Sequence, residues 1–242
     1  MSYCKLSEDN YKSFPVIVGC KPGGIDEECK NCSALMSAIK IAGQAGPSAD
    51  IYKQAICQIN GRMSFNGKII YNPIAVSKIP GPKSKKMLCF MTSYAGEIAL
   101  AESGIIAKCL NIIYDNPKQY FLILSKLPGL FRKKFNIAAK FLKKHGKDMS
   151  KTKNIHMGTS VGLVKYAFRI DQLRKFVNHP RAVFAKPLLG NLSEINLKGI
   201  DYIRINSEKA RRNQARPCKD EWITSLAVKA KEQNVKVYID KK

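Results

Sequence analysis

The stretch that runs from Gln119-Tyr-Phe-Leu-Ile-Leu124, through Gly129–Lys144, to Ile155-His-Met-Gly158 decides the fold of this chain. Its first run is apolar on nearly every residue, as a strand covered on both faces must be. Phe131, Phe135, Ala138 and Leu142 then recur at helical spacing, which leaves Arg132, Lys133, Lys140, Lys143 and Lys144 largely on the opposite face. A strand, an amphipathic helix and a second strand in that order form a parallel βαβ unit. Working outward, the alternation repeats. Further strands are expected near Phe14–Val18, Met87–Thr92, Ala182–Ala185, Tyr202–Ile205 and Val235–Ile239, and a short extra strand or hairpin at Lys68–Tyr71. Residues Gly96–Ile113 place Ile98, Ala101, Ile105, Cys109 and Ile112 on one helical face, so Cys109 reads as a core residue. A last helix is expected from Asp220, with Trp222, Leu226 and Ala230 turned inward. Seven candidate parallel strands predict an α/β fold, a partial or complete TIM-barrel-like (βα) barrel. The chain reads as a single domain over residues 1–242, with an irregular insertion at about 43–86.

Within this frame, Val16-Ile-Val-Gly-Cys20 leads into a loop that ends Cys29-Lys-Asn-Cys32. Such a barrel carries its chemistry at the C-terminal ends of its strands, so this loop is expected at the mouth. A loop rich in Gly, Pro and charge is a poor place to bury three thiols, which points to metal binding. Three thiolates on an iron–sulfur cluster leave one iron open to a small ligand. Spacing alone leaves iron and zinc both open. His145, His156 and His179 lie far away in sequence, and no second Cys-x-x-Cys completes a zinc site. His156 alternates on a strand and reads as a packed residue.

The formal net charge is +24, from 42 Lys and Arg against 18 Asp and Glu, and a polyanionic partner is the natural inference. Basic residues crowd between Lys126 and Lys153, where Asp148 is the one acid, and again at Arg204, Lys209, Arg211, Arg212, Arg216 and Lys219. No apolar run approaches the roughly 20 residues that cross a bilayer, and Met1–Asn10 lacks a signal-peptide pattern, so a cytoplasmic protein without a membrane partner is expected. Eight unevenly spaced cysteines fit a reducing compartment better than a disulfide scaffold.

Several short motifs follow one another in order. They are Gly19-Cys20 with Cys29-Lys-Asn-Cys32-Ser-Ala34, Phe90-Met-Thr-Ser93, Tyr120-Phe-Leu-Ile-Leu-Ser-Lys-Leu-Pro128, Asn154-Ile-His-Met-Gly-Thr-Ser-Val161, Pro187-Leu-Leu-Gly190, and Glu208 with Ala215-Arg-Pro217. In these the chain resembles the phage-associated three-cysteine proteins related to the radical S-adenosylmethionine superfamily. The resemblance implies a [4Fe-4S] cluster on Cys20, Cys29 and Cys32, with S-adenosylmethionine chelated to the open iron through its amino and carboxylate groups. Reductive cleavage would give methionine and a 5′-deoxyadenosyl radical, the chemistry being the cofactor's and the positioning the protein's. It also implies an electron donor such as flavodoxin or ferredoxin, and a virus-encoded protein in a host cytoplasm. The chain departs from the family pattern in a longer gap between Cys20 and Cys29, in Ser33 where a Tyr is usual, in Lys186 where an acid precedes Pro-Leu-Leu-Gly, and in Asn206-Ser207 in place of two glycines.

Ser93, Ser125, Lys126, Ser160, Lys186 and Glu208 fall at expected strand ends and are candidates to hold the cofactor's ribose, amine and carboxylate. Cys218 is a candidate hydrogen-atom donor. The function expected is modification or repair of a nucleic acid or nucleotide, with a protein partner as a further expectation. Its rivals are a non-catalytic metal- or iron–sulfur-containing nucleic-acid-binding protein and a radical enzyme acting on a protein or small metabolite.

Overall fold

The computed structural model describes residues 11–81, 83–92, 95–208 and 215–239. Along the chain, β1 (Tyr11–Ser13) and β2 (Ile17–Val18) precede α1 (Ser33–Ala42) and α2 (Pro47–Lys53). Then come β3 (Ile56–Ile59), β4 (Arg62–Phe65), β5 (Ile70–Tyr71) and α3 (Pro73–Ser77). From there strands and helices alternate as β6 (Leu88–Phe90), α4 (Ser103–Asp115), β7 (Tyr120–Leu124), α5 (Pro128–Lys144), β8 (Ile155–Ser160), α6 (Phe168–Arg174) and β9 (Arg181–Ala185). The chain closes with β10 (Tyr202–Ile205), α7 (Asp220–Glu232) and β11 (Lys236–Ile239).

Seven strands form one sheet in the order β1-β6-β7-β8-β9-β10-β11, and every pairing in it is parallel. The sheet curls into a half-barrel, with β1 and β11 as its two edges among the described residues. Side chains alternate across it with the period of two that a pleated strand imposes. On β7, Phe121 and Ile123 turn outward into the helix-covered core, while Leu122 turns inward to join Phe90, Phe184 and Tyr202. Both faces are therefore apolar, and this is why the strand sequences read as continuous hydrophobic runs.

Helix α5 forms because Pro128 supplies a ready first-turn φ and the apolar stripe finds a partner. Phe131 and Phe135 each bring their rings to within 6 Å of Phe176, at 5.8 and 5.9 Å between centroids. Burial of each such ring stabilises the fold by about 2 kcal/mol. Among the described residues no helix is long and apolar enough to cross a membrane.

Three expectations need adjustment. The first sheet strand is Tyr11–Ser13 rather than Phe14–Val18: Pro15 interrupts the apolar run, and Ile17–Val18 turns away to pair antiparallel with Ile70–Tyr71. The expected short strand at Lys68–Tyr71 is present as Ile70–Tyr71, and its partner is the segment just before the cysteine loop. The segment at 43–86 is not irregular, since it carries α2, α3 and a β3–β4 hairpin turned at Asn60 and Gly61, both at positive φ. The helical pattern over Gly96–Ile113 is broken: Ile98–Leu100 is a 3-10 turn, Ala101 is extended, and α4 starts at Ser103.

Candidate active site

Gly19 ends the segment that delivers the cysteine loop. Its φ is +116°, and a Cβ there would lie 1.9 Å from the Lys68 carbonyl oxygen, so a residue without a side chain is required. Cys20 follows at the strand C-terminal end of the half-barrel. Gly24 repeats the logic further on, with φ +85° and space for a Cβ taken by Cys29. Asp26 then caps the short 3-10 turn Glu27–Asn31 by accepting from the Glu28 N–H at 2.9 Å. Cys32 stands at the N-cap of α1, its sulfur accepting from the Leu35 N–H at 3.4 Å.

The three thiols line one cavity of about 150 Å3, together with Asn31, Glu97, Lys126, Ser160 and Lys186. The loop is held over this cavity by charge. Glu28 is fully buried; its Oε1 accepts from the backbone N–H groups of Gly162 and Leu163 at 2.6 and 3.1 Å, and its Oε2 from Arg169 and Lys126 at 3.0 and 3.1 Å. Asp26 takes the other donors of the same two cations, Lys126 at 2.9 Å and Arg169 in a very short contact. Burial alone would raise the Asp26 carboxyl, but Lys126 and Arg169 outweigh it and hold it below its ordinary range. Lys126 is itself raised, since Glu28, Cys29 and Asp26 overcome the burial that would lower it. On the far side Glu208 binds Arg216 and accepts from Asn31 Nδ2 at 2.9 Å, while Arg216 donates to the carbonyls of Glu27 and Glu28 at 3.0 Å each.

Burial, then the Glu97 carboxylate, pushes the Cys20 thiol up to about 12, and burial raises Cys32 as well. Burial thus favours the protonated thiol at Cys20 and Cys32, and a bound cation would offset the cost of their thiolates. The donor chemistry suits such a group. The Cys29 sulfur accepts from the Ile25 N–H and from Lys126 Nζ, each at 3.4 Å, and hydrogen bonds of this kind stabilise and tune ligating sulfur. Among the described residues no group of three or more His, Cys, Asp or Glu side chains is arranged to hold a metal ion. What Cys20, Cys29 and Cys32 share is the wall of one cavity.

Of the residues singled out in the sequence, Cys20, Cys29, Cys32, Lys126, Ser160 and Lys186 meet at this cavity. Ser125 is buried beside it, donating to Glu97 and accepting from the Leu127 N–H at 3.0 Å, and Glu208 is engaged by Arg216. Cys218 is not among the cavity residues; it packs against the main core. Ser93 lies outside the described residues, as do Lys209, Arg211 and Arg212 of the second basic cluster. Arg204 of that cluster is buried in the sheet. Sequence reasoning missed Asp26, Glu28, Arg169 and Glu97. Glu97 accepts from the Ala99 and Lys126 N–H groups at 3.1 and 2.8 Å, and burial raises its carboxyl against these bonds.

No curated protein matches the chain. Among solved structures, a tyrosine-to-phenylalanine variant of spore photoproduct lyase aligns with a TM-score of 0.49 and 9% identity, over 94% of this chain and 76% of that one. Residues 8–241 match a family model described as "Protein of unknown function (DUF5131)", and the chain belongs to that family.

Proposed function

We propose that the chain is a radical S-adenosylmethionine enzyme acting on a nucleic acid or nucleotide. The observation that carries this reading is that three thiols from one loop line one cavity at the strand C-terminal end of a parallel half-barrel. Cys20, Cys29 and Cys32 would hold a [4Fe-4S] cluster, which when bound supplies an electron, received from a flavodoxin- or ferredoxin-like donor, for reductive cleavage of S-adenosylmethionine. The chain's own residues shape and charge the cavity. Lys126 sets an ammonium against the Cys29 sulfur, and Ser160 and Lys186 are further residues of the wall. Leu124, Phe65 and Ile25 line the same cavity with apolar surface that limits water. The nucleic-acid direction rests on the net charge of +24, since Lys and Arg contacts to phosphate dominate such binding without setting sequence.

The test is anaerobic reconstitution with iron and sulfide, absorption and EPR spectra with and without S-adenosylmethionine, and an assay for 5′-deoxyadenosine after reduction. A cluster spectrum that changes with the cofactor, followed by 5′-deoxyadenosine, supports the proposal. Stable metal without cleavage, also in the presence of DNA and RNA, would replace it with the non-catalytic binding reading.

A further inference from the structure

The strands of the half-barrel are parallel, so the loops that precede them gather at one rim, remote from the cysteines. Two clefts of about 500 and 770 Å3 adjoin there, sharing Tyr120 and Lys153. Tyr114 and Tyr120 give aromatic surface, with Lys147 5.6 Å from the first ring centroid and Lys86 4.4 Å from the second. His156 and His179 line the larger cleft; both are over nine-tenths buried, and His156 Nε2 and His179 Nδ1 lack a hydrogen-bond partner. Such nitrogens are costly in a closed interior and suit a ligand that presents complementary polar edges.

Charge at the rim is one-sided. Lys83, Lys85, Lys86, Lys118, Lys151 and Lys153 are exposed. The nearby carboxylates are already engaged: Asp115 by Lys147 at 2.6 Å, Asp148 by Lys143 at 3.6 Å, and Asp201 by the Arg181 N–H at 2.8 Å. We propose that this rim is a binding site for single-stranded nucleic acid, with phosphates on the lysines and bases entering the clefts against the tyrosines and imidazoles. A cationic groove with aromatic platforms is the arrangement that binds unpaired strands. Unpaired bases are required because duplex stacking hides the faces and edges that the clefts would meet. The proposal does not depend on what the cysteines bind.

The test uses the full chain and a fluorescent oligothymidylate of about 12 nucleotides, with anisotropy followed between about 50 and 200 mM salt. The double variant Lys151→Ala/Lys153→Ala replaces two exposed side chains, and its fold is checked by circular dichroism. It should bind about tenfold more weakly at low salt, with the slope of log K against log salt smaller by about 2. A control at the cysteine end, Lys21→Ala/Lys30→Ala, should leave both quantities unchanged. Photo-crosslinks from an iodouridine-bearing strand should map to peptides containing Tyr114 or Tyr120. Unchanged binding in the first variant, loss in the control, or displacement of the strand as readily by polyglutamate or anionic vesicles would overturn the proposal.

Discussion

A carboxylate and a thiol in this loop do different work, and substitution should separate them. Replacing Cys20, Cys29 or Cys32 with Ala should each abolish cluster formation, whereas Cys57→Ala and Cys109→Ala should retain it, because Cys109 is sealed in the core under α4 and Cys57 sits on β3. Iron content and the absorption spectrum after reconstitution read this out; full cluster in any of the first three variants would sink the ligand assignment. Glu28→Gln tests the scaffold instead. It leaves the near-isosteric amide facing Lys126 and Arg169, two largely buried cations that then share Asp26 alone. Breaking a buried ion pair from one side costs about 3–5 kcal/mol, so chemical denaturation should show a loss of that order. A loss below about 1 kcal/mol, the scale of an exposed pair, would mean that the network is not closed to water in solution.

Among the elements, α5 offers the sharpest contrast. Phe135 packs edge-on against Phe131, Phe176 and His179, whereas Ile137, two residues on, is 57% exposed. Phe135→Ala should destabilise by about 3–5 kcal/mol and Ile137→Ala by less than about 0.5 kcal/mol, as measured by urea unfolding of the two variants. Equal effects would refute the packing order. This helix was legible because its apolar stripe has the helical period, and β7 to β10 were legible because two covered faces leave continuous apolar runs. The first sheet strand was not. Tyr11–Ser13 is short and polar in its middle, and the apolar run beside it serves a different pairing. The β3–β4 hairpin was signalled by Asn60-Gly61, a turn pair that demands positive φ, but exposed flanking residues made its strands inconspicuous. The site divided in the same way. Cysteines clustered in sequence announce themselves, while Asp26, Glu28, Lys126 and Arg169 become a unit only through packing of segments far apart along the chain.

At the scale of the whole molecule, acid should loosen the fold before it reaches the ordinary carboxylate range. Burial pulls both His156 and His179 down to about 4 from 6.5. The unfolded chain therefore binds more protons than the native one in that interval, and stability falls as pH drops from 6.5 toward 4. The upper bound is about 3 kcal/mol per histidine. Glu97, with its raised carboxyl, acts in the opposite sense above 4.5, so the histidine contribution is read in a Glu97→Gln background. Below that, Asp26 adds a further loss as its depressed carboxyl is titrated. Denaturation midpoints between pH 7 and 4.5 should decline; a flat profile would show that the imidazoles are hydrated. The clamp on the cysteine loop also sets an order of events. Its hydrogen bonds join residues 100, 141 and 188 positions apart, from Asp26 to Lys126, Glu28 to Arg169 and Glu28 to Arg216. Contacts of such long range form late, because the intervening chain must be closed first. The three cysteines are synthesised before Lys126, Arg169 and Arg216, yet they acquire fixed positions only once those residues have joined the loop. Until Arg216 has been synthesised and has docked on the Glu27 and Glu28 carbonyls the clamp is incomplete, so maturation of the site waits on residues made long after the cysteines themselves.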